Sequence, residues 1–337
     1  MLQIENSVKV IEGLRPDNIP DQVLRSTEPL LLKGLVNEWP MVEAANKSSR
    51  AAIDYVRDFY QDATVGIFFT GPESGGRYFY TDDVRGENYQ RAMVKLDAVL
   101  DRIEENIGAP RPQYVYMGST TVDNCLPGFR KSNDVDLHGR RALASIWLGN
   151  STRIAAHFDV PDNLACCAAG RRSFTLFPPE QVENLYPGPL DFSPGGQVIS
   201  MVDFHNPDFE RYPRFRKALQ TAQLAELEPG DAVFVPSMWW HHVEGKDDFN
   251  VLINYWWRQS PAFMGTPSDV LDHALLSLRD LPGEQRRAWQ ELFRYYVFDW
   301  DGSQAQHLPE DAQGVLGPID ENKARQLRAK LMNKLNR

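Results

Sequence analysis

The stretch RIAAHFDVPDNLACCAAGRRSFTLFPP, residues 153–179, indicates how the chain folds. It holds three short apolar runs, RIAAHFDV, LACCAAG and SFTLFPP, with Pro, Asp, Asn and Gly between them. These intervening residue types favour turns, so each run is interpreted as a strand. The same pattern extends from Gln113 to Trp257 through YVYMG, ALASIWLG, DAVFVPS and NVLINYWW. Many short strands at this spacing predict a sandwich or a small barrel.

The flanking regions follow other patterns. Strand-like and helix-like runs mix from Val8 to about Pro110, which predicts an α+β segment. The expected elements are a strand at PLLLKGLV (29–36), a helix at SRAAIDYVRDFY (49–60), a hairpin at FFTGPESGGRYFY (68–80) and a helix at AMVKLDAVLDRIEE (92–105). After Pro261, the runs DVLDHALLSLRDL, EQRRAWQELFRYYVF and ENKARQLRAKLMNKLNR predict helices. The predicted organisation is an N-terminal segment at 1–110, a barrel at 111–260 and a helical tail at 261–337.

The amino-acid composition excludes some classes of protein for this chain. The 337 residues are 42% hydrophobic and 11% aromatic, which is enough for a large core. The net charge of -10 argues against a broad surface for nucleic acid or anionic membranes, because both need clustered Lys and Arg. No signal-peptide pattern and no apolar run near the roughly 20 residues of a membrane span is seen, so a cytoplasmic protein is expected. Cys125, Cys166 and Cys167 are expected to be buried apolar residues.

A candidate metal site lies in RIAAHFDV. Strand alternation places Ile154, Ala156, Phe158 and Val160 on one face and Ala155, His157 and Asp159 on the other. A second cluster, ELEPGDAVFVPSMWWHHVEG at 226–245, predicts a PGD turn and an apolar strand that ends in two tryptophans and two histidines. Two imidazoles and a carboxylate form the facial triad of non-haem Fe(II) oxygenases. His157, Asp159 and either His241 or His242 would complete it, although His157 and Asp159 alone fit a buried hydrogen-bonded pair equally well.

These motifs, with FPPEQVENLYPGPL and VDFHNPDFERYP, resemble the JmjC-type cupin oxygenases that use Fe(II) and 2-oxoglutarate, and among them the asparaginyl hydroxylases. The resemblance covers roughly Tyr114 to Trp257, and PLLLKGLVNEWP near the start is also family-like. It implies a mainly β fold with flanking α, a double-stranded β-helix of cupin type with about eight core strands in two sheets. It also implies a hydroxylase that uses O2, releases succinate and CO2, and acts on a protein or peptide side chain or a small amino-acid-like substrate.

The resemblance implies roles for individual residues. The third metal ligand is the first histidine after the tryptophan pair, His241, with His242 as its neighbour. Co-substrate residues of the family match Tyr116, Asn163 and Asn254, and the substrate side matches Trp256 and Trp239. Simpler alternatives are a core aromatic for Tyr116, a turn former for Asn163, a paired strand amide for Asn254 and a core or rim aromatic for Trp256.

Arg172 departs from the family, which has a lysine there that pairs with the distal carboxylate of 2-oxoglutarate. Alternation places Arg172 in phase with Phe174 and Leu176 and opposite Arg171, so one arginine can point inward and the other outward. An inward guanidinium would bind the carboxylate in bidentate fashion. The alternative is a surface or structural arginine.

Two further departures concern the pocket and the substrate. Ile154 replaces a family threonine, which removes one hydroxyl from the co-substrate pocket unless Thr152 serves instead. The Arg-Gln pair that the resembled hydroxylases use on a target asparagine falls near Val198 and Ile199, which cannot bind a primary amide. Asparagine specificity is therefore in doubt.

Other functions share such a barrel. A sugar-binding or isomerase-like cupin usually carries more histidine ligands, and His138, His205, His273 and His307 lack ligand-like spacing. A non-catalytic barrel that serves as a binding module is the second alternative. Neither a nucleic-acid nor a membrane partner is expected.

The tail predicts a protein partner. The run LLSLRDLPGEQRRAWQELFRYYVF offers more apolar surface than a short helical hairpin buries alone. Paired helices over about 268–298 are therefore expected to join a second copy in a homodimer, which the resemblance also implies. The alternative is that these helices only pack on the side of the barrel.

Overall fold

Backbone contacts divide the chain into two units, Met1–Gln259 and Ser260–Arg337. The structure, a computed structural model, describes Leu2 and residues 4–335. Within these residues all strands belong to the first unit. Each unit is described by itself below.

Fifteen strands of the described residues form two sheets. The strands are β1 (Asn6–Ser7), β2 (Lys9–Ile11), β3 (Leu30–Leu32), β4 (Thr64–Thr70), β5 (Arg77–Tyr78), β6 (Gln90–Lys95), β7 (Tyr114–Thr121), β8 (Leu143–Gly149), β9 (Arg153–Phe158), β10 (Asp162–Ala169), β11 (Arg172–Phe177), β12 (Gln223–Leu227), β13 (Ala232–Val235), β14 (Trp240–Gly245) and β15 (Asn250–Trp257). The nine-stranded sheet has the order β2-β3-β13-β10-β15-β8-β7-β4-β6, and the six-stranded sheet has the order β1-β12-β11-β14-β9-β5.

Strands β8 to β15 form the barrel core. Four of them lie side by side in the larger sheet, in the order β13-β10-β15-β8, and four in the smaller sheet, in the order β12-β11-β14-β9. Neighbouring strands within each set are antiparallel. The chain changes sheet at every turn except the one between β11 and β12, which is the arrangement of a jelly roll. The predicted cupin-type double-stranded β-helix is confirmed.

Strand β10 explains why the central runs are apolar throughout. Ala165 and Cys167 face the smaller sheet and pack with Phe174, whereas Leu164 and Cys166 belong to the core on the opposite face of the larger sheet. A strand that is covered on both faces reads as a continuous apolar run. Both cysteines are buried, as is Cys125.

The helices of the first unit cover the outer faces of both sheets: Phe215 and Ala218 of the last helix pack with Phe177 and Trp240 of the smaller sheet, and the other helices pack on the larger sheet. They are α1 (Pro40–Lys47), α2 (Ser49–Arg57), α3 (Leu96–Glu105), α4 (Val122–Cys125) and α5 (Phe215–Thr221), with short 3-10 turns at Pro72–Ser74, Phe129–Lys131 and Pro179–Asn184. Apolar residues of α1, α2 and α3, such as Val42, Ile53 and Leu100, pack in one core with Ile146 of β8 and Leu164 of β10. Strands β2 and β3 extend the same sheet by pairing with β13 through β3.

The hairpin predicted at 68–80 is wrong. Its first half belongs to β4, which pairs with β6 and β7 in the larger sheet, and its second half belongs to β5, which pairs with β9 in the smaller sheet. Gly75 and Gly76 have positive φ values and lead the chain between the sheets. The local pattern identified a turn correctly, but strand partners depend on distant residues.

Two other predicted elements divide into two. The helix predicted at 92–105 begins only at Leu96, because residues up to Lys95 form β6. The single strand predicted in 226–245 consists of β13 and β14, which lie in different sheets. The break falls at Pro236–Trp239, where Met238 has a left-handed φ of 67° that a continuous strand does not allow.

The second unit is helical, as the pattern after Pro261 predicts. Its helices are α6 (Pro267–Ser277), α7 (Gly283–Phe293), which continues as a π-helical turn at Arg294–Phe298, and α8 (Glu321–Leu335), with 3-10 turns at Ser303–Ala305, Glu310–Ala312 and Gly314–Leu316. Large apolar side chains on it are solvent-exposed, among them Leu276, which is 80% exposed, and Phe298, which is 77% exposed.

None of the helices in Leu2 and residues 4–335 is both long and apolar enough to cross a membrane.

Candidate metal centre

Two neighbouring strands of the smaller sheet bring three possible metal ligands together. His157 on β9 lies directly opposite His241 on β14, and Asp159 follows the end of β9. One ligand atom from each residue lies within 4.8 Å of the other two. Among the described residues this is the one group of three or more His, Cys, Asp or Glu side chains that could hold a metal ion.

A β-bulge in β9 corrects the simple alternation expected there. Val243 pairs with Ile154 and His241 pairs with His157, so three steps along β9 correspond to two steps along β14. Ile154 and His157 therefore share a face, although strict alternation predicts opposite faces. Ile154 packs between the sheets beside Tyr116. The extra residue changes the phase of the strand, which sequence periodicity cannot reveal.

Backbone carbonyls orient both imidazoles. Nδ1 of His157 donates to the carbonyl of Ala155 at 2.9 Å, and Nδ1 of His241 donates to the carbonyl of Trp239 at 2.9 Å. Each ring is thereby held as the tautomer whose Nε2 carries the free lone pair. Nε2 of His241 lies 3.6 Å from Oδ2 of Asp159.

His241 is held neutral by its surroundings. Burial and the nearby His157 lower its pKa to about 4, against the opposing effect of Asp159. A neutral imidazole at pH 7 is the form that binds a metal ion.

His242 points away from this group. Its ring stacks on Phe204 with centroids 4.5 Å apart, and its Nδ1 lies 3.6 Å from Oε1 of Glu244. Burial lowers the pKa of His242 to about 3, with Glu244 opposing the shift. Of the two adjacent histidines, the structure brings only His241 to His157 and Asp159.

Arg172 points into the barrel and Arg171 points out of it. Arg171 is exposed and forms an ion pair with Asp247 at 2.6 Å. Arg172 is only 5% exposed, and its Nε has no hydrogen-bond partner within the part of the chain that the structure describes. Burial lowers the pKa of Arg172, which shows how dry its surroundings are.

Tyr116 is affected electrostatically both by Arg172 and by one of the three possible metal ligands. Burial raises the pKa of its phenol; the charge of Arg172 opposes the rise, and Asp159 adds to it. Since both charges act on one hydroxyl, Tyr116 lies within electrostatic reach of Arg172 and of Asp159. The ring itself belongs to an inner aromatic cluster with Tyr78 and Tyr89.

Asn163 and Asn254 form a buried polar chain on the opposite sheet. Nδ2 of Asn254 donates to Oδ1 of Asn163 at 3.2 Å, and the indole N–H of Trp147 donates to Oδ1 of Asn254 at 2.8 Å. Trp147 also stacks on Tyr116 with ring centroids 6.0 Å apart. The pattern of ALASIWLG could have identified Trp147 as inward-facing, since Ile146 and Leu148 on either side belong to the outer core.

A comparison with family models supplies the identification. The model of the cupin-like domain matches residues 16–263, which is most of the chain. The chain belongs to the cupin-like family.

Three curated relatives of this cupin-like chain illustrate its similarities. A lysine-specific demethylase, JMJ31 of Arabidopsis thaliana, is 35% identical over 36% of this chain and 22% of its own length. A tRNA wybutosine-synthesizing protein 5 of Gallus gallus is 35% identical over 39% of this chain and 42% of its own. The HSPB1-associated protein 1 of Homo sapiens is 34% identical over 47% of this chain and 33% of its own. The matches thus span less than half of each relative.

The remaining predicted residues of this cupin-like chain lie around the same interior. Trp256 is half-buried and meets Trp147 edge to face at 5.6 Å, and its indole nitrogen has no partner among the described residues. Trp239 is buried and donates its indole N–H to the carbonyl of Thr27 at 3.1 Å. Their roles toward a substrate stay predictions.

Two positions where the sequence departs from the resembled hydroxylases also lie near the centre. The backbone of Ile199 pairs with that of His157, so the segment at Val198 and Ile199 borders the metal-binding group. Thr152 is buried just before β9, whereas Ile154 is the residue that packs beside Tyr116. The side chain of Ile199 packs with Tyr80 and Ala155, whereas Val198 packs with the cluster that contains Ala156 and Trp240.

Proposed function

We propose that this chain is an Fe(II)- and 2-oxoglutarate-dependent dioxygenase that hydroxylates an unactivated C–H bond and releases succinate and CO2. One observation carries the proposal: a buried arginine without a partner on its Nε points into the barrel interior that also holds His157, Asp159 and His241. A buried cation of this kind needs an anion, and a two-histidine, one-carboxylate group suits Fe(II).

The three ligand residues fit the metal by their chemistry. Two neutral imidazoles and one carboxylate leave coordination positions open, as non-haem iron oxygenases require. The carbonyls of Ala155 and Trp239 fix the two rings, and such outer contacts orient ligands and raise their affinity. When bound here, Fe(II) with 2-oxoglutarate supplies the activation of O2 for insertion of oxygen into a C–H bond.

The co-substrate fits the cluster of Arg172 and Tyr116. In this proposal Arg172 pairs with the distal carboxylate and Tyr116 donates its phenolic hydrogen to it. The side chains of Asn163 and Asn254 lie on the facing sheet, where they border the same cavity. The inner aromatic rings of Tyr78, Tyr116 and Trp147 keep water away from the reacting atoms.

The primary substrate is proposed as a protein or peptide side chain or a small amino-acid-like molecule. The relatives differ here, because one is named for lysine demethylation and another for wybutosine synthesis in tRNA. The apolar Ile199, whose backbone pairs with that of His157, favours a target other than the asparagine amide. Trp256 would line the substrate side of the cavity, and Trp239 would support it from behind.

Anaerobic reconstitution with Fe(II), followed by addition of 2-oxoglutarate and O2, tests the function. We expect the protein to bind iron stoichiometrically and to form succinate slowly even without a primary substrate, and we expect His241→Ala to lose both properties. Succinate formation should increase above this uncoupled background when the right substrate is added from a panel of peptides and amino acids. A folded protein that binds iron but forms no succinate would instead favour a non-catalytic binding module. A folded protein that neither binds iron nor forms succinate would exclude both the oxygenase and its metal site.

A further inference from the structure

Two turns lie next to the proposed metal ligands. The first turn, residues 159–161, joins β9 to β10, which begins at Asp162, and it contains Asp159; the second, residues 236–239, joins β13 to β14 and precedes His241. The backbone N–H of Met238 donates to the carbonyl of Asp159 at 2.8 Å. The hydroxyl of Ser237 donates to the carbonyl of Val160 at 2.6 Å. The second turn is thus bonded directly to the first.

Asp162, the first residue of β10, adds a side-chain link to the second turn. Its Oδ1 accepts the backbone N–H of Ser237 at 3.0 Å, and its Oδ2 accepts Nε2 of Gln259 at 2.8 Å. Asp162 is only 6% exposed and forms no ion pair with the described residues. Burial of a charged carboxylate without a cation costs free energy unless N–H donors replace the lost hydrogen bonds to water. Both hydrogen bonds are therefore needed to stabilise Asp162.

The backbone around this link is otherwise unfavourable. Met238 has a left-handed φ of 67°, a conformation that residues with a Cβ seldom adopt. Asp159 lies beyond the last residue of β9, where ladder hydrogen bonds no longer hold it. Asp159 and Ser237 lie outside the strand ladders, and the hydrogen bonds between the two turns fix their backbone instead.

We propose that Asp162 is a positioning residue that holds Asp159 and His241 in ligating geometry by clamping the start of β10 to the second turn through Ser237 and to the end of β15 through Gln259. This inference rests on the proposed function, because it assigns the clamp to the metal site of that function. Asp162 does not itself belong to the group of ligand atoms. Its effect passes through the backbone of Ser237 to the strand that carries His241.

The test is an anaerobic Fe(II) titration of purified variants, together with denaturant unfolding of each metal-free protein. Asp162→Ala removes both bonds and should weaken Fe(II) binding by about tenfold to a hundredfold, the usual cost of losing an outer contact of a metal site. Gln259→Ala removes one bond and should weaken binding less, by at least about threefold. It also keeps the test informative if Asp162→Ala does not fold.

Asp162→Asn separates hydrogen bonding from charge. The amide oxygen of the new asparagine still accepts from Ser237. Its amide nitrogen can donate to Oε1 of Gln259 once the side-chain amide of Gln259 has flipped. Fe(II) affinity should therefore stay within about threefold of the wild-type value, since both bonds are restored. If Asp162 acted as a ligand or by its charge, the Asn and Ala variants would lose affinity equally.

Asp231 provides a matched control. It is a buried carboxylate at the other end of β13, where it accepts from the backbone N–H groups of Gly34 and Glu228 at 2.9 Å and, unlike Asp162, also pairs with Lys33 at 2.8 Å. Asp231→Ala should lower stability and leave the Fe(II) affinity of the folded protein unchanged. Equal affinity losses in Asp231→Ala and Asp162→Ala, or in Asp162→Asn and Asp162→Ala, would overturn the clamp. A wild-type protein that binds no Fe(II) would overturn the proposed function as well.

Discussion

His241 and His242 show how one residue step changes the chemistry available to a side chain. The pleat of β14 turns His241 toward His157 and Asp159 and turns His242 toward Phe204 and Glu244. Both rings are buried, so burial alone does not distinguish them. The two histidines differ in their neighbouring side chains, because only His241 lies near two other possible metal ligands.

The first prediction concerns these residues. His157→Ala, Asp159→Ala and His241→Ala should each abolish tight Fe(II) binding, because two ligands do not complete a facial site. His242→Ala should retain iron, since its ring faces the outer layer. The measurement is iron stoichiometry after anaerobic reconstitution and desalting. Loss of iron in His242→Ala with retention in His241→Ala would show that the ligand assignment is wrong.

The second prediction concerns Arg172. Arg172→Ala should weaken 2-oxoglutarate binding by about 1.5 to 3 kcal/mol, or tenfold to a hundredfold, because it removes a charge-assisted pair in a dry cavity. Iron binding should be spared. Arg172→Lys should recover only part of the loss, because an ammonium has a shorter reach and no bidentate geometry.

Arg171→Ala is the matched control for Arg172→Ala. Its side chain is exposed and pairs with Asp247 on the outer surface, so co-substrate affinity should change little. The readout is the 2-oxoglutarate concentration dependence of succinate formation in the three variants. Equal behaviour of Arg171→Ala and Arg172→Ala would remove Arg172 from the co-substrate pocket.

At the scale of elements, the close approach of β7 and β8 positions Tyr116. A Cβ added at Gly149 would lie 2.5 Å from the carbonyl oxygen of Val115 and 3.3 Å from Cα of Tyr116. These contacts are with backbone atoms, which cannot rotate away as a side chain can. Gly149 is thus required by the spacing of the two strands.

The third prediction follows from this spacing. Gly149→Ala should destabilise the protein by about 1 to 3 kcal/mol, the usual cost of overpacking, and should weaken 2-oxoglutarate binding because β7 carries Tyr116. Gly66→Ala in β4 is the control, since its Cβ would meet only Sδ of Met93, at an ordinary 3.5 Å. Denaturant unfolding and co-substrate titration measure both effects. Unchanged stability in Gly149→Ala would show that the strands can separate freely.

At the scale of the whole molecule, the helical unit exposes several large apolar side chains. Leu276 and Phe298 are largely exposed, and so are parts of Trp289, Tyr296 and Val297. We propose that these side chains are covered by the helical unit of a second copy, in a closed two-fold dimer.

The fourth prediction tests this dimer. Light scattering at micromolar concentration should give the mass of two chains, and Leu276→Glu with Phe298→Glu should shift the protein to a monomer by placing charges in the apolar contact. Met93→Glu is the control, because Met93 is 70% exposed on β6 in the first unit. A wild-type monomer at this concentration would exclude the dimer.

The sequence by itself determined the elements whose signals are local. Short apolar runs with turn residues between them were enough for six of the eight barrel strands, β8 to β11, β13 and β15, and the amphipathic runs after Pro261 were enough for the tail helices. Alternation also placed Arg172 inside and Arg171 outside, because no bulge interrupts β11 between these residues and its partners. Periodicity works here because it depends only on neighbouring residues.

Only the tertiary structure decided which distant residues meet. The bulge that brings Ile154 and His157 to one face, the separation of β4 from β5 and the break at Met238 depend on strand partners far away in the chain. Spacing left His241 and His242 equivalent until the position of β14 beside β9 brought His241 to His157. Hydrogen bonds between distant segments, such as that of Asp162 with Ser237, have no sequence period, since they form only after both sheets have packed.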